Sequence, residues 1–122
     1  MHPVSVEAIE WAFQQEGMSV TQKAVLVSLG DHYNRKLHYA FPSHSTLARR
    51  CSAARSTVQT ALLDLENKLG LIVSESRVDR NGRQTSSRYY LPDFDPLSRP
   101  GAIEIDEGGT ARQPGTPLPR AG

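Results

Sequence analysis

Apolar residues recur at helical intervals in four successive stretches between residues 6 and 70, and the period then changes. In "VSVEAIEWAFQQ", Val6, Ile9 and Phe13 share one face with Trp11 and Ala12 beside it, Ser5 stands as an N-cap and Glu7 lies in the first turn. This predicts a first helix that stops near Gly17, a residue suited to a left-handed end. In "SVTQKAVLVSLGDHYN", the stripe Val20, Ala24 and Val27, with Leu26 and Leu29, predicts a second helix capped by Ser19 or Thr21 and running to about Tyr33. Residues 34–42, "NRKLHYAFP", read as a polar and aromatic connector. Pro42 keeps the residue before it extended, so a short third helix around Leu47 begins only afterwards, capped by Ser43 or Ser45. Only "CSA" separates it from a longer fourth helix, whose buried face is Val58, Leu62, Leu65 and Leu69, with Ala61 beside them and Gly70 as its terminator.

Past Gly70 the periodicity is that of strands. "LIVSESRV" is rich in branched residues, "DRNG" is a turn signal and "RQTSSRYYL" alternates, which together predict a β-hairpin with two arginines in its tip, "DRNGR". From Pro92 onward, six prolines and five glycines fall within 31 residues. Such a segment buries too little apolar surface to offset its chain entropy, so residues 92–122 are expected to form a disordered tail behind a domain at residues 1–91. Within that tail "AIEID" alternates at Ile103 and Ile105, a pattern suited to docking as a strand on a partner. No internal repeat is present.

The 122 residues suffice for one domain, and 38% hydrophobic residues for a modest core. The formal net charge of +1 conceals a strong asymmetry: residues 1–34 carry −3, residues 35–91 carry +6 and the remainder −2. A basic middle is the footprint of a surface facing a polyanion. A single cysteine, Cys51, excludes an intramolecular disulfide and reads as a packing residue in a reducing compartment. With neither a signal-peptide pattern nor an apolar run of about 18 residues, a cytoplasmic protein with no membrane association is expected.

Mainly α, four helices with a tight corner between the third and fourth and a two-stranded ribbon behind them, is the winged helix-turn-helix arrangement. The corner presents the fourth helix to a major groove. With its core face used, Arg55 and Ser56 stand at the tip and Gln59, Thr60 and Leu63 on or near the outward side. Arg forks onto guanine, Gln onto adenine, and Thr offers a hydroxyl and a methyl, so Arg55, Ser56, Gln59 and Thr60 are the expected base readers. Expected backbone contacts are Ser43, His44, Ser45, Thr46, Arg49 and Thr57, with Arg77, Arg80, Arg83 and Arg88 from the ribbon acting as a clamp. Arg49 and Arg50 also complement the dipole of the third helix, and Lys23 reads as a plain surface residue.

The ordered set "WA", "FPS…LA", "S-T-V" and "L-E…LGL", within residues 4 to 91, resembles the helix-turn-helix domains of phage and prophage replication proteins and related small bacterial DNA-binding proteins. The resemblance implies a winged-helix fold and double-stranded DNA binding, in replication initiation or transcriptional regulation. Two positions depart from that family: Ala54 stands where a capping Ser or Thr is usual, and Ser52 where Gly is common. Ala in place of a Ser cap costs about 1 kcal/mol.

Other chemistries find little support. His32, His38, His44 and Cys51 are spaced six, six and seven apart, which fits no zinc pattern, so no metal or cofactor is expected. There is no phosphate-binding glycine loop, no nucleophile elbow and no acidic cluster for a nuclease metal, so the chain is expected not to be an enzyme. The alternative is a winged-helix protein-interaction module that mimics or inhibits a host factor without binding DNA, its acidic first helix (Glu7, Glu10, with Glu16 beyond) forming the docking face. In either case the tail is a candidate tether for a replication or transcription protein.

Overall fold

The computed structural model describes residues 6–76, 81–82 and 87–101, together with the backbone of residues 104–105 and 111–112. Ser5, Arg77, Arg80, Arg83 and Ile103 lie outside the described residues. The elements run α1 (Val6–Gln14), α2 (Val20–Asp31), α3 (His44–Cys51), α4 (Arg55–Asn67), β1 (Val73–Glu75) and β2 (Arg88–Tyr90). A further short antiparallel pair joins β3 (Glu104–Ile105) to β4 (Ala111–Arg112). Four helices and an antiparallel β1–β2 hairpin make this a winged helix-turn-helix fold.

The core forms where α1, α2, α3 and α4 meet the foot of the hairpin, around Leu26, Leu29, Leu47, Val58, Leu65 and Ile72. On α4 the expected face is the buried one: Val58, Ala61, Leu62 and Leu65 are inside, and Leu69 packs against them just past the helix end. Gly70, at φ +64°, turns the chain into β1 as its position suggested.

The buried face of the first helix, and part of that of the second, differ from expectation. Val6 and Phe13 are 73% and 61% exposed, and the buried residues of α1 are Ala8 and Ala12. On α2, Leu26 and Leu29 are buried as expected, but Val20 is 88% exposed, Ala24 and Val27 are only half-buried, and Val25 is buried in addition. The reason is close approach of the two backbones. A Cβ on Gly30 would lie 2.8 Å from the carbonyl oxygen of Ala8, so small residues meet at the crossing and the larger ones turn outward.

Caps fix the helix ends. Ser19 and Gln22 form a reciprocal capping box on α2, and Ser43 caps α3 by accepting from the Thr46 N–H at 3.1 Å. Lys23 is no idle surface group: its ammonium donates to the carbonyls of Ala12, Phe13 (2.7 Å) and Gln15, the orphan acceptors at the end of α1.

The connector from residue 34 is more ordered than a polar loop. Asn34 and Tyr39 bridge across a turn in which the Asn34 side chain accepts from the N–H groups of Lys36 and Leu37. Ala40 then exchanges backbone hydrogen bonds of 2.9 and 2.7 Å with Tyr89, so β2 is flanked on both sides.

The folded unit also runs beyond the boundary expected at residue 91. Phe94 packs on Trp11 and edge-on to Tyr33, with ring centroids 5.9 and 5.5 Å away. Asp95 accepts 2.6 Å hydrogen bonds from Tyr33 Oη and His38 Nδ1. Ser98, fully buried, donates to the His38 carbonyl and accepts from the Leu91 N–H. Average composition hid these three anchors among prolines. Burial raises the Asp95 carboxyl, but the hydrogen bonds from Tyr33, His38 and the Leu97 N–H, with the charge of His38, outweigh it and hold the group below the ordinary aspartate range.

Candidate nucleic-acid interface

The corner that sets α4 across the end of α3 turns on Ser52, which adopts the left-handed conformation at φ +52°. Gly is common at this position in the domains the sequence resembles, and the backbone has the conformation that Gly takes most readily. Ala54 follows with the extended geometry of an N-cap, φ −70° and ψ 154°, but supplies no side-chain hydrogen bond, so the first N–H groups of α4 are uncapped by it.

Four tethers brace the helices of the corner and the hairpin. Gln22 of α2 donates to Asp64 at 3.1 Å, and Asp64 pairs with Lys68 one turn on. Glu66 accepts from both the N–H and the hydroxyl of Ser74, which fastens β1 to α4. Arg50 pairs with Asp31 and so ties α3 to α2. His44, at the start of α3, reaches Tyr89 Oη of β2 at 3.0 Å.

On this frame Arg55, Ser56, Thr57, Gln59 and Thr60 are all exposed. The Thr60 hydroxyl donates back to the Ser56 carbonyl at 3.1 Å, so its proton is committed within the helix. Between α4 and the hairpin lies a cleft of about 260 Å³ lined by His44, Gln59, Leu63, Glu66, Ser76 and Tyr89, among others. Leu63, 58% exposed, and the largely buried Leu62 give that cleft its apolar floor. Residues 16–72 match the family model of a helix-turn-helix domain. The matched span contains α2, α3, the corner and α4, and it ends at Ile72, just before β1 begins at Val73. The match suggests DNA binding. No curated protein and no solved structure matches the chain.

The residues expected at the backbone divide into groups. Ser45 and Arg49 are exposed on α3 of the helix-turn-helix domain. Ser43 and Thr46 are half-buried and engaged with each other, the Ser43 hydroxyl donating to Thr46 Oγ1 at 3.0 Å. Arg88 lies on the wrong side for a clamp beside α4. Strand alternation puts it with Glu75 and Tyr90, opposite to Tyr89, and its guanidinium stacks 4.5 Å from the Tyr39 ring centre with Glu75 at 3.9 Å. Arg77, Arg80 and Arg83 lie outside the described residues.

Sequence reasoning missed Glu66, Ser74 and Tyr89, which set the hairpin wall of the cleft. The alternation in "SSRYYL" was the available signal, since it places Tyr89 on the face opposite Arg88 and Tyr90. Among the described residues, no group of three or more His, Cys, Asp or Glu is placed to hold a metal ion, and no helix is long and apolar enough to cross a membrane.

Proposed function

We propose that the chain is a sequence-specific double-stranded DNA-binding protein, without enzymatic activity, that works in phage- or plasmid-type replication initiation or in transcriptional regulation. The observation that carries this reading is the exposure of Arg55, Ser56, Gln59 and Thr60 on the first two turns of α4, in front of a corner braced by α2, α3 and the hairpin. Those side chains supply a guanine fork, an adenine-type amide and short polar groups of the kinds that read base edges in a major groove. Arg49 and Ser45 flank them for phosphate contact, and the net charge of +6 over residues 35–91 favours association with a polyanion.

The test is selection from a random duplex pool with the full chain, followed by binding at several salt concentrations. One enriched motif is expected, with affinity falling at a log–log slope of about −0.9 per phosphate neutralised. Recovery of no motif refutes sequence-specific binding.

A second reading, a protein-interaction module, is favoured by one observation. Val6 and Phe13 are exposed on the face of α1 that also carries Glu10. An apolar stripe edged by acid suits a partner that presents apolar and basic residues. Capture of such a protein by the wild-type chain but not by Phe13→Glu, with no DNA retained by either, would favour it.

A further inference from the structure

His44 joins the two walls of the cleft. Its Nε2 lies 3.0 Å from Tyr89 Oη on β2, and its Nδ1 lies 3.2 Å from Nε2 of Gln59 on α4. An amide nitrogen is only a donor, so Nδ1 accepts from Gln59 and the ring proton sits on Nε2, donating to the tyrosine. This assignment requires a neutral imidazole. Burial, and then the positive charge of Arg55, hold the His44 imidazole below its ordinary value, which favours that form.

We propose that His44 is a positioning residue for adenine recognition, anchored on Tyr89 and holding the Gln59 amide so that its carbonyl oxygen and second N–H are presented together to the adenine edge. The proposal rests on the DNA-binding reading above and names what one position of that site reads. Adenine offers N7 as acceptor and N6 as donor in the major groove, and a glutamine amide meets both only when its oxygen and nitrogen are fixed the right way round. An exposed glutamine on a helix otherwise samples both amide orientations, and the flipped one puts donor to donor. His44 selects between them because its neutral Nδ1 can only accept. A protonated His44 would present an N–H there and favour the flipped amide. The other charged or titratable groups near this ring are Arg55 and Glu66 on α4 and Tyr89 on β2.

The experiment is duplex selection and competition binding with the full-length wild-type chain, Gln59→Ala, His44→Ala and His44→Asn, each confirmed folded by thermal melting. The expected wild-type motif contains an adenine whose preference falls about tenfold in both Gln59→Ala and His44→Ala. In His44→Asn, whose side-chain oxygen can accept from the amide, most of the preference returns. Lowering the pH below the ordinary histidine range, until His44 protonates, erodes the adenine preference of the wild type but not that of His44→Asn. A motif enriched by the wild type whose adenine preference survives His44→Ala, or is not rescued by His44→Asn, or does not depend on Gln59, overturns the proposal while leaving DNA binding intact. Failure to enrich any motif refutes the DNA-binding reading itself, and this proposal with it.

Discussion

The segment after the hairpin and the outer face of α4 use similar polar groups in opposite ways. In the first, Tyr33, His38, Asp95 and Ser98 close on one another, and Ser98 is fully buried with its hydroxyl both donating and accepting. In the second, Arg55, Ser56 and Gln59 are exposed, and Gln59 makes a single hydrogen bond, to His44, among the described residues. Satisfied polar clusters add stability, whereas exposed ones add little and are free to bind. The difference predicts that substitutions on the two sides separate cleanly into losses of stability and losses of recognition.

The largest expected loss lies on the body side. Gly30→Val would drive a side chain into the Ala8 and Ile9 backbone, where a Cβ already falls within 3.1 Å of three main-chain atoms. Main chain cannot rotate away, so α1 must shift, at a cost of about 3 kcal/mol, read as a lowered midpoint in urea. The residual folded protein should select the same DNA motif as the wild type. A change of motif without a change of midpoint would break the separation between the two regions.

Asp95→Ala comes next, removing the shared acceptor of Tyr33 and His38 at a cost of about 2 kcal/mol. The pH dependence has a definite sign. A carboxyl held below its ordinary value in the folded protein contributes stability that is fully present above the unfolded aspartate pKa, near 4, and is lost as pH falls through the lower folded value. Urea midpoints of the wild type should therefore fall across that acid window more steeply than those of Asp95→Ala. Equal slopes would mean that Asp95 contributes nothing by its charge.

On the recognition side, Arg55→Ala should leave the urea midpoint unchanged and reduce preference at one base pair by about 1.5 kcal/mol, measured by competition between duplexes differing at that position. Arg49→Ala, in contrast, should weaken all duplexes alike and shallow the salt slope by about 1. If both variants lost affinity evenly, the division into base reader and phosphate contact would be wrong.

The elements of this fold were unequally legible in the sequence. The core face of α4 followed from spacing alone, because large side chains on a 13-residue helix mark one face strongly. On α1, and at Val20 and Ala24 of α2, the same logic failed. There the buried residues at the crossing are Ala8, Ala12 and Gly30, and hydrophobic periodicity gives weight to large side chains, not to small ones that permit close approach. Phe94, Asp95 and Ser98 were obscured because proline content averages over single anchors, and their partners Trp11, Tyr33 and His38 lie 57 to 83 residues away in the chain. The exposed polar tip of α4 was visible as the polar remainder of that helix. The hairpin wall of the candidate site was not, since the link from His44 to Tyr89 spans 45 residues and only the folded chain brings them together.

The smallest expected effect is a gain, and it sharpens the comparison at the point where body and reading helix join. Ala54 already holds the backbone geometry of an N-cap but gives the first turn of α4 no side-chain acceptor. Ala54→Ser adds a hydroxyl at a position whose φ and ψ need no adjustment, and should raise stability by about 1 kcal/mol. The added oxygen would bond an N–H at the very turn that carries Arg55 and Ser56. If that turn donates N–H groups to a DNA phosphate, as helix N-termini do, the serine competes with the phosphate, and affinity for all duplexes should fall slightly while the urea midpoint rises. A rise in both stability and affinity would instead show that a firmer first turn helps recognition and that the uncapped N–H groups take no part in it.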